Sequence, residues 1–223
     1  MNPATKFLCL SVGVAAVLAQ RATAQTVVYN ESWENTLDGW GTIGGNMTIG
    51  GFSTTLGVTA GSYSLILDGP ASGGPNYAGQ IGSTASTALT LDLANATSVT
   101  VNVYVPPGNF GYYLQWDLAL NQQGGGLGYA SVDSYSYSQS ATIGGEKTLT
   151  WTIPTAMQTT LANNPTLPTS LNFQIGGGFT SASDAAYIDN LQITDNAVPE
   201  PGTLALLGMG ALGCLRFARL RRR

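Results

Sequence analysis

From Val99 to Val105 the chain alternates without a break: Val99, Val101, Val103 and Val105 are apolar, while Thr100, Asn102 and Tyr104 are polar. A period of two predicts a half-buried strand, and Pro106-Pro107-Gly108 ends it. The next run repeats the pattern, with Tyr112, Leu114, Trp116, Leu118 and Leu120 on one face and Tyr113, Gln115, Asp117 and Ala119 on the other. Shorter alternations occur at Tyr63-Leu65-Leu67, Leu89-Leu91-Leu93, Leu149-Trp151-Ile153 and Leu171-Phe173-Ile175, and from Tyr187 to Ile193. With Tyr129 to Gln139 they predict about eight strands. Glycine clusters at Gly44-Gly45, Gly50-Gly51, Gly73-Gly74-Pro75, Gly124-Gly125-Gly126, Gly144-Gly145 and Gly176-Gly177-Gly178 read as the turns between them. Only Pro154 to Ser170 has room for a helical turn, around Thr155 to Ala162, and no internal repeat is present. The pattern predicts an all-β protein, an antiparallel β-sandwich.

The two ends break the pattern. Residues 1–24 read as a secretory signal peptide: Lys6 supplies the positive start, Phe7 to Ala19 the apolar stretch, and Ala22-Thr23-Ala24 the small residues before a cut that leaves Gln25 first. At the other end Val198-Pro199-Glu200-Pro201-Gly202 leads into an apolar run from Thr203 to Leu215, and five of the last eight residues are arginine. The prolines stop structure from propagating across the junction. As a helix the run rises only about 20 Å against a hydrocarbon core of roughly 30 Å. Spanning therefore needs Phe217 and Leu220 inside while Arg216 and Arg219 snorkel, with the arginines marking the cytoplasmic side. On hydropathy the segment is a short tail anchor or a processed signal.

Setting the ends aside leaves residues 25–197 as one domain, and its charge differs from that of the whole chain. The full sequence carries −4, but this body has one lysine, Lys147, against eleven acidic residues, so 1 − 11 = −10. Such a surface argues against nucleic acid and acidic polymers as partners and is compatible with neutral glycans or divalent cations. The two cysteines, Cys9 and Cys214, both lie in the end segments, so no disulfide holds the body. Histidine is absent throughout, which excludes Ser-His-Asp and Cys-His catalysis and the usual zinc sites.

Candidate chemistry lies in one strand. In Tyr129 to Gln139 the odd positions Tyr129, Ser131, Asp133, Tyr135, Tyr137 and Gln139 share a face. Three tyrosines beside an aspartate and a glutamine suit the stacking of sugar rings and the bonding of their hydroxyls. Tyr104, Tyr113, Gln115 and Asp117 would extend that face. The alternative is that Tyr129, Tyr135 and Tyr137 point into the core, where Trp33, Trp116 and Trp151 are also expected. No spacing singles out an acid and a nucleophile, and the Gly-x-Ser-x-Gly, HExxH and phosphate-loop motifs are missing.

Val198-Pro199-Glu200-Pro201, the short Leu/Gly/Ala helix and the arginine cluster together resemble the PEP-CTERM sorting signal of exported Gram-negative bacterial proteins. That resemblance covers residues 198–223. It implies export through the Sec translocon, transient attachment to the inner membrane through the C-terminal transmembrane helix, and recognition by an exosortase-type enzyme that removes the tail. The body would then reach the cell surface or an extracellular polysaccharide matrix.

The body carries a second resemblance. Ser32-Trp33-Glu34-Asn35-Thr36-Leu37-Asp38-Gly39-Trp40, Gly61-Ser62-Tyr63-Ser64-Leu65 and Tyr187-Ile188-Asp189-Asn190-Leu191 are similar to motifs of the galactose-binding-like jelly-roll of carbohydrate-binding modules. The resemblance implies a jelly-roll, a buried Trp40, and a structural calcium ion between the first and last strands with Glu34 and Asp189 as its acidic ligands. Oxygen ligands of this kind suit calcium, and a body at −10 gains from a cation. The alternative is that Asp189 caps a turn and Glu34 is a solvated charge. Together these readings give an exported, non-catalytic β-sandwich that binds polysaccharide. A structural or adhesive surface protein without a glycan ligand is the second reading, and a glycoside hydrolase the third.

Overall fold

Alternating valines, leucines and tryptophans bury one side of each strand, and two such sides facing each other make the core. The computed structural model describes residues 25–45, 47–69, 79–107, 110–138, 145–179 and 184–196. The expected signal peptide, residues 1–24, and the expected sorting segment, residues 198–223, lie outside these. Val27–Asp195 is one compact unit.

The described residues form eleven strands, in chain order β1 (Gln25–Glu31), β2 (Gly41–Gly44), β3 (Thr48–Ser53), β4 (Ser64–Asp68), β5 (Gly79–Gly82), β6 (Ala96–Val105), β7 (Phe110–Gln122), β8 (Gly128–Ser138), β9 (Gly145–Thr152), β10 (Thr169–Phe179) and β11 (Ala185–Asn196). One sheet has the order β3-β4-β11-β6-β9, with β1 also on β11; the other runs β2-β5-β10-β7-β8. Neighbours along both orders are antiparallel. Consecutive strands repeatedly change sheet, as from β4 to β5, β6 to β7, β8 to β9 and β10 to β11, which gives the jelly-roll sandwich.

The expected inward phases hold. Val99, Val101, Val103 and Val105 from β6, Leu114, Trp116, Leu118 and Leu120 from β7, Leu149 and Trp151 from β9, and Leu171, Phe173 and Ile175 from β10 are all buried. Trp33 and Trp40, which flank the first loop, are buried as well. Their rings join a ladder across the core: Trp33 meets Trp40 edge-on at 5.4 Å, Trp40 stacks on Phe173 at 5.8 Å, and Phe173 leans on Trp151 at 5.6 Å. Offset and edge-on pairs of this kind add about 0.5–1.5 kcal/mol each beyond the area they bury.

Several expectations are corrected. Leu89-Leu91-Leu93 is not a strand but part of helix α1 (Thr87–Asn95). The Ser86 side chain caps it by accepting from the Leu89 N–H at 3.1 Å, and Leu89 and Leu93, four apart, are the pair that points inward while Leu91 is 52% exposed. Gly50-Gly51 is a bulge inside β3 rather than a turn, with Gly51 at φ 110. Gly176-Gly177-Gly178 likewise lies within β10. Four strands were not foreseen, β1, β2, β3 and β5, three of them short and glycine-rich. The helix expected near Thr155 is α2 (Thr155–Asn163), which packs on α1. Among the described residues no helix is long and apolar enough to cross a membrane; the apolar run from Thr203 lies outside them.

Candidate functional site

The expected tyrosine face is divided by one extra residue. Register across β7 and β8 shifts between Leu118 and Ala119, so that Leu118 faces Asp133 and Ala119 faces Ser131, leaving Val132 as a bulge. A bulge of one residue reverses the phase of everything beyond it. Tyr129 and Ser131 therefore share the outward phase with Asn121 and Ala119, whereas Tyr135 stands opposite Trp116 in the inward phase, and Tyr137 pairs in register with Leu114. The side chains of Tyr113 and Tyr137 are outside the described part.

Tyr135 is consequently structural. Its ring meets Trp151 edge-on at 5.3 Å, its hydroxyl donates to the Thr150 carbonyl and accepts from the Thr150 N–H at 3.3 Å. Because β8 and β9 belong to different sheets, this ring staples one sheet to the other. Asp133 works at the same seam: its carbonyl accepts from Trp151 Nε1 at 3.1 Å, and its carboxylate accepts from the Ser134 N–H at 2.7 Å. Tyr104 belongs to the other sheet, paired at 5.9 Å with Tyr187.

Outward residues of the five-stranded sheet form a different surface. Register aligns Gln80, Gln174, Asp117 and Ser134 in one row across β5, β10, β7 and β8, and Gly82, Asn172, Ala119 and Ser131 in the next. Gln80 Nε2 donates to Gln174 Oε1 at 3.2 Å and to the Tyr129 hydroxyl at 3.4 Å, and Gln115 Nε2 donates to Asp117 Oδ1 at 2.9 Å. Strands β5 and β8 are three steps apart, about 14 Å in a flat sheet. For the tips of Gln80 and Tyr129 to touch, the face must be cupped and the tyrosine must lie across β7 and β10. Tyr129 is 52% exposed and Ile43, on the opposite edge strand β2, is 54% exposed. A trough results, floored by small residues and amides and flanked by two apolar side chains. Gln115 and Asp117 were expected on this polar phase. Gln174 was readable as the polar position between Phe173 and Ile175, while Gln80 sits in a four-residue strand too short to show a period.

On the other sheet, Glu34 and Asp189 hold the same loop. Asp189 is fully buried, and its Oδ2 accepts from the Thr59 N–H at 2.6 Å, the Ala60 N–H at 2.7 Å and the Thr59 hydroxyl at 3.0 Å. Its Oδ1 accepts from the Asn190 N–H at 2.7 Å. Glu34 is exposed, and both its oxygens accept from the Ser62 N–H, at 3.1 and 3.0 Å. As a calcium site this arrangement fits poorly. The ion takes six to eight oxygens, whereas the loop turns hydrogen ends toward both carboxylates. Among the described residues no three Asp, Glu, His or Cys side chains gather as a metal cluster.

One further acid is conspicuous. Glu31 is buried at the end of β1, and its Oε1 accepts from the Trp33 N–H at 2.8 Å. Burial pushes its carboxyl above the ordinary range, the Trp33 bond opposes this, and the Asp38 charge adds to the rise. Burial raises Asp68 and Asp92 in the same direction.

Comparison with known proteins agrees with this geometry at the level of fold. A carbohydrate-binding module of the β-sandwich superfamily is similar, with a TM-score of 0.52, 17% identity, and coverage of 77% of this chain and 63% of that one. Also similar in outline are the mannan-recognising module TmCBM27, at a TM-score of 0.49 and 12% identity over 78% and 99% of the two chains, and the C-terminal family 22 module of Clostridium thermocellum Xyn10B, at 0.47 and 15% over 78% and 96%. At such identities the likeness concerns the fold. This chain spans 63% of the length of the first of these structures. No curated protein matches the sequence. Residues 197–223 match the PEP-CTERM protein-sorting motif, and they contain Val198-Pro199-Glu200-Pro201. The chain is thus an exported β-sandwich protein of the cell envelope or surface that carries a C-terminal PEP-CTERM sorting motif.

Proposed function

We propose that the body is a non-catalytic polysaccharide-binding module, released by an exosortase-type enzyme at the envelope of a Gram-negative bacterium and retained there or in the matrix by its ligand. The observation that carries this reading is the cupped face of the five-stranded sheet. Its amides, Gln80, Gln115 and Gln174, offer donors and acceptors to hydroxyls, and Tyr129 lays an aromatic ring beside them. Likeness to carbohydrate-binding modules supports the choice. Among the described residues of this face Asp117 is the one carboxylate, and glycoside hydrolysis ordinarily needs two.

Retention on insoluble neutral polysaccharides tests the proposal. Tyr129→Ala should weaken binding about fivefold, the equivalent of about 1 kcal/mol for one aromatic contact, with no change in melting temperature. Tyr135→Phe should do the reverse, lowering the melting temperature and leaving retention intact. If nothing in a broad panel is retained, the structural or adhesive reading replaces this one; steady release of reducing ends would put a hydrolase in its place.

A further inference from the structure

We infer that the loop from Thr59 to Ser62 fills, with its own N–H groups, the place that the carbohydrate-binding-module resemblance gives to a calcium ion, so that the body is tied together by a metal-independent latch. The argument begins at β11. Its register shifts between Asp189 and Gln192, and Asn190 takes a left-handed φ of 51. Asp189 stands opposite Asn102, on the outward phase of the six-stranded sheet. It is nevertheless wholly buried, because the loop between β3 and β4 lies over it.

That loop is fitted to the sheet residue by residue. Gly57, at φ 69, sits where a Cβ would press into Cβ of Tyr187, with Cβ of Tyr104 3.3 Å away. Thr59 then delivers its N–H and hydroxyl to Asp189, and its hydroxyl accepts from Asn102 Nδ2 at 2.8 Å. Asn102 is fixed in turn by Thr148, whose hydroxyl donates to Asn102 Oδ1 at 2.8 Å. Gly61, at φ 63, lies so close to Glu34 that any side chain there would collide with the carboxylate, and the next residue, Ser62, gives its N–H to both Glu34 oxygens. One loop thus joins the Trp33 segment, β6 and β11, and β9 is tied in through Asn102.

A carboxylate that accepts several N–H and O–H donors is held by charge-assisted bonds and has its charge spread without a counter-ion. A cation at the same spot would face the positive ends of three peptide dipoles, those of Thr59, Ala60 and Ser62. Calcium would have to turn these peptides over before it found carbonyl oxygens. The first and last parts of the domain are therefore connected by hydrogen bonds where an ion was expected.

Thermal unfolding of the purified protein, followed by tryptophan fluorescence in excess EDTA and in excess calcium chloride, tests the latch. The expected result is one melting temperature in both conditions. Asp189→Asn, which keeps the shape and removes the charge, should lower it by several degrees equally in both. Thr59→Val, which deletes one donor and keeps the backbone, should lower it less, and it serves where Asp189→Asn fails to fold. A melting temperature that rises with calcium in the wild type and not in Asp189→Asn overturns the inference. So does a wild type indifferent to calcium whose Asp189→Asn and Thr59→Val variants melt unchanged.

Discussion

Tyr135 and Tyr129 are the same residue type six positions apart, and the structure gives them opposite work: one is pinned between Trp151 and Thr150, the other lies open across the sheet. Sequence could not separate them, because the strict alternation from Tyr129 to Gln139 hides the single inserted residue at Val132. Glu31 shows how burial can matter at one residue. A carboxyl raised in the folded state and ordinary in the unfolded chain binds more protons when folded between those two values, so its contribution weakens stability as pH rises through that window. With Asp68 and Asp92 shifted the same way, the melting temperature should rise as the pH is brought from neutral toward 5. Glu31→Gln keeps an acceptor for the Trp33 N–H and removes the charge. It should melt higher than wild type at pH 7 and show a smaller pH dependence, and identical pH profiles for the two proteins would contradict this account.

At the scale of elements, long strands were legible and short ones were not. β6, β7 and β10 each carry three or more inward side chains at period two, and β9 carries two with Ile153 following in the same phase, which overrides local propensity. β2 and β5, four residues apiece and bounded by glycine, hold too few side chains to show any period. Helix α1 deceived for a related reason: leucines at 89, 91 and 93 satisfy period two, and only the Ser86 cap and the 89/93 spacing reveal the helix. The two assignments make different predictions for substitution. Leu93→Ala should cost about 2–5 kcal/mol as a buried large-to-small change, whereas Leu91→Ala should stay within about 0.5 kcal/mol; chemical denaturation of both variants measures it. Equal costs would restore the strand. The trough residues fall between these cases, with Gln115 and Asp117 readable from phase and Gln80 visible only once β5 is paired with β10.

At the scale of the whole molecule, the acidic body and the basic ends divide the labour. Seven of the eight basic residues fall in the two end segments, of which 197–223 matches the sorting motif, and residues 25–197 carry −10. Intact mass spectrometry of the protein from its native cells should give a species beginning at Gln25 and lacking the arginine cluster. A full-length mass would remove the processing step from the account. The export reading was legible from local motifs because a sorting signal is read as sequence, whereas the trough had to be assembled from four strands distant along the chain. The bulge at Val132 has one more effect, since β8 is the last strand of its sheet. An intact terminal strand invites a second molecule to extend the ladder, and repeated addition grows fibres. A kinked edge whose hydrogen-bond spacing is interrupted at its middle is a poorer template, so β8 is guarded against pairing edge to edge with a second copy.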